Sequence, residues 1–205
     1  MSTIVEDEAS LRSLYPQQVE LRRKTILDRL DRHCRNFIAH SPFLVLATAG
    51  ADGGVDASPR GDAPGFVQVL DDRTLAIPDR RGNNRLDSMS NISARPQVGL
   101  LFFIPGIGET LRVNGRARIS VEPTLLESFA IDGKAPKSVI AIMVEAVYFQ
   151  CARAILRSEL WNPQKHVARG SLPSAGQILA ALSNNQVGGE AYDKELPERQ
   201  RTTPY

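Results

Sequence analysis

Arginine is the residue type whose placement in this chain could do chemistry. Its side chains recur in three groups, which are Arg60, then Arg80, Arg81 and Arg85, then Arg112, Arg116 and Arg118. A planar guanidinium donates two parallel hydrogen bonds, and this geometry matches the oxygens of a phosphate group. If the chain folds so that the three groups converge, the sequence predicts a binding site for a phosphorylated ligand.

The second arginine group lies where a strand pattern gives way to a helix pattern. The first turn of a helix has backbone N–H groups without intrahelical acceptors, and these groups favour a bound anion. Gly82 would let the backbone approach the ligand, and Asn83 or Asn84 would cap the helix and donate an amide to the same oxygens. The simpler alternative is that Asp79 and Asp87 only pair with these arginines.

The third arginine group lies on the clearest alternating stretch of the chain, Glu109 to Ser120. Apolar and polar residues alternate there with the period of a half-buried strand. Arg112 and Asn114 fall on its polar side. Because polar strand faces are commonly just hydrated, the pattern alone leaves Arg112 either as a ligand contact or as part of a solvated surface.

Other familiar site motifs are incomplete in this chain. The run Gly106–Leu111 lacks the third glycine of a dinucleotide fingerprint, and Gly133-Lys134 is not followed by the Ser or Thr of a P-loop. No serine stands in a Gly-x-Ser-x-Gly elbow, and neither the three histidines nor the two cysteines have zinc-ligand spacing. A Rossmann fold, a P-loop NTPase, a serine hydrolase and a metal site are therefore not expected.

The remaining patterns predict antiparallel β-structure flanked by helices. An amphipathic helix is expected from Pro16 to about Ala39, and Ser41-Pro42 ends it. Strands are expected near residues 43–49, 55–58, 65–70, 74–77, 98–104, 109–120 and 139–149. Further helices are expected near residues 86–92, 123–129 and 151–161, before a polar tail, mobile or in contact with a partner, over Ser183–Tyr205.

Composition limits the class of protein. The chain has 205 residues, of which 42% are hydrophobic, and this is enough for one or two domains with a substantial core. The net charge of +2 provides no bulk attraction to nucleic acid or to an anionic membrane. An acidic N-terminal segment and the lack of a long apolar run predict a soluble cytoplasmic protein.

Four ordered segments together resemble the pyridoxamine 5'-phosphate oxidase-like FMN-binding split-barrel family, and within it a branch of FMN-dependent enzymes. The segments are Ser41–Thr48, Ser58–Asp62, Ile77–Arg85 and Thr110–Ala117. The resemblance implies a mainly β (α+β) fold, namely a six-stranded antiparallel split β-barrel with flanking helices. It also implies a homodimer that binds two FMN molecules in clefts at the subunit interface.

The resemblance suggests three regions along the chain. Residues 1–40 would form an N-terminal helical extension, and residues 41–165 would form the FMN-binding split barrel with its closing helix. Residues 166–205 would contain a C-terminal helix and the polar tail. The expected partners are a second copy of the chain and a small-molecule substrate.

The resemblance also implies which residues would contact FMN. Arg80-Arg81-Gly82 is similar to the family's Arg-Lys-Gly phosphate loop, and Ile77 to Asp79 would lie along the isoalloxazine edge. Arg60 or Arg112 would place positive charge near flavin N1 and C2=O, and Trp161 would approach the cofactor from the other subunit. The full candidate set is Arg60, Ile77, Pro78, Asp79, Arg80, Arg81, Asn83, Asn84, Arg85, Arg112, Asn114 and Trp161.

The chain departs from the family pattern at two places that bear on its activity. Pro78 removes a backbone donor at the flavin edge. The arginine-containing segment that grips substrate phosphate in pyridoxamine 5'-phosphate oxidases is not recognisable after Trp161. Pyridoxamine 5'-phosphate is therefore not the expected substrate.

The function implied is that of an FMN-dependent oxidoreductase of a small molecule, with hydride transfer through flavin N5. The alternative is a non-catalytic flavin- or haem-binding protein on the same barrel. Haem would need an axial ligand, and the three histidines lie outside the predicted strands. A deazaflavin in place of FMN is equally compatible with the sequence.

Overall fold

Seven antiparallel strands form the body of the protein in a computed structural model, which describes residues 4–16, 24–82 and 84–202. The strands are β1 (Phe43–Ala49), β2 (Val55–Gly61), β3 (Gln68–Val69), β4 (Thr74–Pro78), β5 (Gln97–Phe103), β6 (Thr110–Ser120) and β7 (Val139–Gln150).

The helices flank this sheet at both ends of the chain and between strands. They are α1 (Glu8–Ser13), α2 (Arg32–His40), α3 (Asp87–Ala94), α4 (Pro123–Glu127), α5 (Arg153–Ser158), α6 (Ala175–Leu182) and α7 (Gly189–Thr202). Single 3-10 turns lie at Pro163–Lys165 and Arg169–Ser171. None of the described helices is long and apolar enough to cross a membrane.

The strands form one sheet with the spatial order β2-β1-β5-β6-β7-β4-β3. Every pairing is antiparallel. β2 and β3 stand at the two ends of this order and are therefore the edge strands of the sheet. Alternate residues of each strand point to the same side, and this places the apolar set on one face. The fully buried side chains of that core include Ile38, Leu44, Phe102, Leu111 and Ile142.

The strand count differs by one from the six strands that the resemblance implied. The additional strand is β3, which has two residues and pairs only with β4. The predicted run over residues 65–70 is mostly turn, because Gly65 has a φ of +89° and the Phe66 N–H donates to the Ala63 carbonyl at 3.1 Å. The fold class itself, an antiparallel sheet with flanking helices, agrees with the prediction.

A β-bulge interrupts the pairing of the two longest strands, β6 and β7. Asn114 pairs with Ala146 and Gly115 pairs with Val144, so Glu145 is the extra residue on β7. A bulge of this kind shifts the alternation of its strand by one residue. Ile140, Ile142 and Val144 before the bulge and Val147 after it are therefore all buried in the core, even though their spacing changes.

The N-terminal helix is shorter than predicted. Helix α2 begins after Asp31, whose carboxylate accepts two N–H groups of the first turn at 2.9 and 2.8 Å and so acts as the N-cap. Before it, Leu27 forms a backbone bridge to Val147, so the chain adds to the sheet there and is not helical. Residues 17–23 of the predicted helix lie outside the described residues.

The C-terminal segment is helical where the sequence predicted a polar tail. Helix α7 packs on α6, and Asp193 of α7 accepts hydrogen bonds from the Ser174 hydroxyl and from the Gly176 N–H, the latter at 2.8 Å. Asp193 thereby caps the start of α6. The sequence analysis missed this helix because the segment has few apolar residues, and its hydrogen bonds to α6 come from the polar side chain of Asp193. Residues 203–205 lie outside the described residues.

The two cysteines should differ in reactivity. Cys34 lies on the buried side of α2, and burial raises the pKa of its thiol to about 12, whereas Cys151 is exposed. Because the thiolate is the reactive form, we expect a thiol reagent at about pH 8 to modify one cysteine per folded chain. Mass spectrometry after denaturation should show two modified cysteines. Rapid labelling of both cysteines in the folded protein would contradict this assignment.

Candidate functional site

A cleft of about 1080 Å³ opens beside the edge strand β2. Its walls come mainly from three parts of the chain, namely residues 56–61 of β2, residues 78–82 and 84–89 from the end of β4 to the first turn of α3, and residues 134–137 before β7, with Phe66 in addition. The fold thus brings two of the three predicted arginine groups to one place, since Arg60 and the segment containing Arg80 to Arg85 line the same cleft.

Positive charge dominates the lining of the cleft. Its cationic side chains are Arg60, Arg80, Arg81, Arg85, Lys134 and Lys137, and its carboxylates are Asp56, Asp79 and Asp87. Within the described residues this leaves an excess of cations over carboxylates. A cleft lined by one sign of charge concentrates ligands of the opposite sign, so the cleft is suited to an anion.

Arg60 lies at the base of the cleft with an unused hydrogen-bond donor. Its Nη1 is 3.4 Å from Oδ1 of Asp79, and the two side chains are only 19% and 18% exposed. Its Nε is buried and has no hydrogen-bond partner among the described residues. Leaving a buried N–H donor without an acceptor costs free energy. A ligand oxygen that accepted a hydrogen bond from this guanidinium would remove that cost.

Arg80 is held by the protein itself. Its Nε donates to Asp62 Oδ2 at 2.7 Å and its Nη1 donates to the Phe129 carbonyl at 2.9 Å. The Asp62 side chain is only 3% exposed, so this is a largely buried ion pair. Arg80 therefore fixes the wall of the cleft by tying the end of β4 to the segments that carry Asp62 and Phe129.

Arg81, Asn84 and Arg85 form the exposed rim of the cleft. The Arg85 Nε donates to Asp87 at 2.9 Å, but both side chains are well exposed and such a pair contributes little to stability. A Cβ on Gly82 would meet no atom within 4 Å, so the fold itself does not require glycine there. Only close approach of a ligand would require it.

The start of α3 lacks the side-chain cap that the sequence predicted. Its N-cap residue is Leu86, with a φ of +60° and no side-chain hydrogen bond to the first turn. Asn84 also has a positive φ, of +58°, and does not cap the helix, and Asn83 lies outside the described residues. The first-turn N–H groups of α3 therefore stay available beside Ser88 and Met89, which line the cleft.

The free edge of β2 adds backbone groups to the cleft. The Asp62 N–H donates to the Pro42 carbonyl, on the β1 side, at 3.1 Å. By strand alternation, the backbone groups of Ala57, Pro59 and Gly61 point away from β1, and all three residues line the cleft. Pro59 has no N–H to leave unpaired, as is usual for proline on an edge strand.

Four predicted site residues lie away from this chain's cleft. Ile77 is fully buried in the core. Arg112 and Asn114 lie on the face of the sheet that points away from the core. There the Arg112 guanidinium donates to Tyr148 Oη at 3.1 Å and to Gln150 at 3.0 Å. The Trp161 indole N–H donates to the Ile107 carbonyl at 2.8 Å.

Two cationic residues of the cleft were missed in the sequence analysis. Lys134 and Lys137 stand on either side of Ala-Pro before β7, and both line the cleft. A tight turn positions Lys134, since Asp132 and Gly133 have φ values of +50° and +73° and Lys134 bridges back to Ile131. Asp-Gly is the usual sequence of such a turn and was the available signal.

Comparison with known families identifies the fold. The family profile described as pyridoxamine 5'-phosphate oxidase matches residues 30–151. The chain belongs to the pyridoxamine 5'-phosphate oxidase family. The matched residues of this family member contain all seven strands, α3 and every segment that lines the cleft. The family resemblance predicted from the sequence is thereby confirmed, together with the fold class.

Solved structures of similar fold show only distant sequence relationships to this family member. HupZ from Group A Streptococcus is 19% identical, with 59% of this chain and 94% of that chain covered and a TM-score of 0.48. General stress protein 26 from Bacillus anthracis is 18% identical, with 56% and 88% covered and a TM-score of 0.43. An FMN-binding protein from Syntrophomonas wolfei is 11% identical, with 56% and 82% covered and a TM-score of 0.43. The comparison with curated protein sequences gives no match.

Proposed function

We propose that this member of the pyridoxamine 5'-phosphate oxidase family binds FMN in the cleft and acts as an FMN-dependent oxidoreductase on a small molecule. The observation that carries the proposal is the unpaired, buried Nε of Arg60 at the base of a cleft with excess positive charge. Such a donor is expected where a ligand oxygen belongs.

The residues of the cleft fit the phosphate group of FMN. Arg81 and Arg85 on the rim are exposed cations, and the uncapped first turn of α3 lies beside them. Arginine and a helix N-terminus together provide charged and neutral donors for phosphate oxygens. Arg60 would bind either the phosphate or the pyrimidine end of the flavin, while Arg80 would hold the wall in place through Asp62.

The other lining groups suit the planar ring system. The backbone edge of Ala57 and Gly61 has N–H and carbonyl groups that could pair with a heterocycle, and Pro78, Leu86 and Met89 provide apolar contact. Bound FMN would supply the hydride-transfer chemistry, which no side chain of the protein can perform. The chain's own task is to orient the cofactor and to place positive charge beside it.

The proposed active form is a homodimer. The face of the sheet opposite the core exposes apolar side chains on several strands, among them Phe43 of β1, Val55 of β2 and Met143 of β7, at 40%, 86% and 61%. Ala57 and Pro59 lie on that same face and also line the cleft. A second copy packed there would cover apolar surface and would bring groups such as Arg112 and Asn114 towards a neighbouring cleft.

Light scattering tests the dimer. We expect a mass twice the 22.5 kDa of one chain when FMN is bound. A species with the mass of one chain and one bound FMN would contradict the dimer but would leave the cleft as the binding site.

The absorption spectrum of the purified protein tests the cofactor. We expect two bands near about 370 and 450 nm, typical of an oxidised flavin, and the mass of FMN for the small molecule released by heat. A Soret band would indicate haem. The mass of a deazaflavin for the released molecule would show that a deazaflavin and not FMN is the cofactor. A colourless protein that does not bind added FMN would overturn the proposal.

Replacing Arg81 with alanine should weaken FMN binding without unfolding the protein. Losing a charged hydrogen bond costs about 1.5 to 3 kcal/mol, so the dissociation constant should rise about 10- to 150-fold. Quenching of FMN fluorescence on titration measures it. Arg12→Ala, an exposed arginine of α1 that does not line the cleft, is the matched control and should leave the affinity unchanged. Equal affinity of Arg81→Ala and the wild type would remove Arg81 from the site.

A further inference from the structure

The ion pair at the base of the cleft is a weak one. Only Nη1 of Arg60 and Oδ1 of Asp79 come together, at 3.4 Å, and Nε of Arg60 has no partner among the described residues. A bidentate arginine–carboxylate pair would use two donors at shorter distances and would be stronger. An anion that offered Arg60 better geometry could therefore replace Asp79 as its partner.

The backbone and the neighbouring chain segments hold Asp79 in place. Its N–H donates to the Ser138 carbonyl at 2.9 Å, so the backbone of Asp79 stays in place if the guanidinium of Arg60 turns towards a ligand. Lys137 is the second cation near its carboxylate. Arg80, the next residue, is directed to Asp62 and to the Phe129 carbonyl.

The two other carboxylates that line the cleft have partners of their own. From β2, Asp56 accepts a hydrogen bond from the Ser88 hydroxyl of α3 at 3.1 Å. From α3, Asp87 is paired with Arg85 at 2.9 Å. Arg60 and Lys137 are therefore the cations that stabilise the ionised form of Asp79.

Burial already disfavours the charge on Asp79. It raises the pKa of this carboxyl above its ordinary value, although Arg60 and Lys137 lower it in part. Removing Arg60 as a partner and placing an anion nearby would both favour the neutral acid further.

We propose that an anionic ligand group displaces Asp79 from Arg60, and that Asp79 then takes up one proton from solvent. No bond of the ligand changes in this step, since the proton passes from water or buffer to an Asp79 oxygen. The inference rests on the proposed function because it uses the same cleft and an anionic cofactor. It adds that binding of the anion is coupled to protonation of Asp79.

The coupling has a definite direction with pH. The bound state holds Asp79 with a higher pKa than the free state, so binding takes up protons between the two pKa values. In that window the affinity for the anion should fall as the pH rises. Above the pKa of the bound state the carboxylate is charged in both states, and it opposes the ligand without any proton exchange.

Calorimetry of FMN binding in buffers with different ionisation enthalpies measures the proton number. The phosphate of FMN also titrates near pH 6, so the quantity that matters is the difference between the wild type and Asp79→Asn. Titrations repeated down a pH series should show a range in which the wild type takes up more protons than Asp79→Asn. We also expect Asp79→Asn to bind FMN about five- to tenfold more tightly at about pH 8, because it no longer repels the anion.

Asp28→Asn is the control, since Asp28 pairs with Arg29 at 3.1 Å and does not line the cleft. Its proton number should equal that of the wild type. Equal proton numbers for the wild type and Asp79→Asn, with FMN bound to both, would overturn the coupling and leave the proposed function standing. Failure of the wild type to bind FMN would overturn both. A circular-dichroism melt of each variant shows whether it is folded.

Discussion

Replacing Arg80 with methionine should lower the free energy of unfolding by about 3 to 5 kcal/mol. The guanidinium is largely buried and donates to Asp62, whose side chain is only 3% exposed, and to the Phe129 carbonyl. Methionine keeps much of the apolar volume but removes both hydrogen bonds and the positive charge. The buried carboxylate of Asp62 then loses the cation that stabilises it, and this accounts for most of the cost.

Urea unfolding followed by circular dichroism measures the effect, and Arg81→Met is the control. Arg81 is the adjacent arginine but is exposed, so its replacement should change stability by no more than about 0.5 kcal/mol. Arg80→Met should thus lose stability, whereas Arg81→Ala should lose FMN affinity. If Arg80→Met were as stable as the wild type while losing FMN, Arg80 would be a ligand contact and not a structural clamp.

Replacing Gly115 with alanine should also lower the free energy of unfolding, by about 3 kcal/mol or more. A Cβ at this position would lie 2.1 Å from the Met143 carbonyl oxygen, which belongs to the backbone of the neighbouring strand. A backbone atom cannot turn aside as a side chain can, so β6 and β7 would have to separate at the bulge. These strands are central to the sheet, and separating them would disturb the core on both sides.

Gly99→Ala is the matched control, because Gly99 also lies in a central strand. The nearest atoms to its added Cβ are Asn114 Oδ1 at 3.5 Å and the Ala47 Cβ at 3.9 Å, which are ordinary contacts. We expect Gly99→Ala to melt near the wild-type temperature and Gly115→Ala to melt lower by about 6 to 12 °C. Similar melting temperatures for the two variants would show that the bulge can relax around a methyl group.

The pattern of residues along the chain was sufficient to predict most strands of the sheet. Phe43–Ala49 is a continuous apolar run that begins just after Ser41-Pro42, whereas Thr110–Ser120 alternates with a period of two, and both are strands. The helix before β1 was predicted too long, because apolar spacing alone cannot show that Leu27 pairs with Val147. A bridge between residues so far apart depends on the complete sheet.

The candidate site was predictable where its residues are close in sequence. The segment from Asp79 to Arg85 carries its own signal, with charge, glycine and asparagine at a strand-to-helix junction, and it lines the cleft. Arg60 could be singled out by type, but its distance of 3.4 Å from Asp79 and the unpaired Nε follow from tertiary packing. Asp132-Gly133 indicated a turn before Lys134, but Lys134 and Lys137 became cleft residues only because the fold brings their loop to the same cleft as β2.

The sequence by itself determined the family, the fold class and the position of an arginine-rich segment at a strand-to-helix junction, because these depend on local periodicity and on ordered short motifs. Only the tertiary structure decided what each arginine does. Arg80 is bound to Asp62, Arg60 has a free donor, and Arg112 lies on the opposite face of the sheet. The physical reason is that an arginine's role depends on the acceptors around its guanidinium, and those acceptors come from segments distant in the chain.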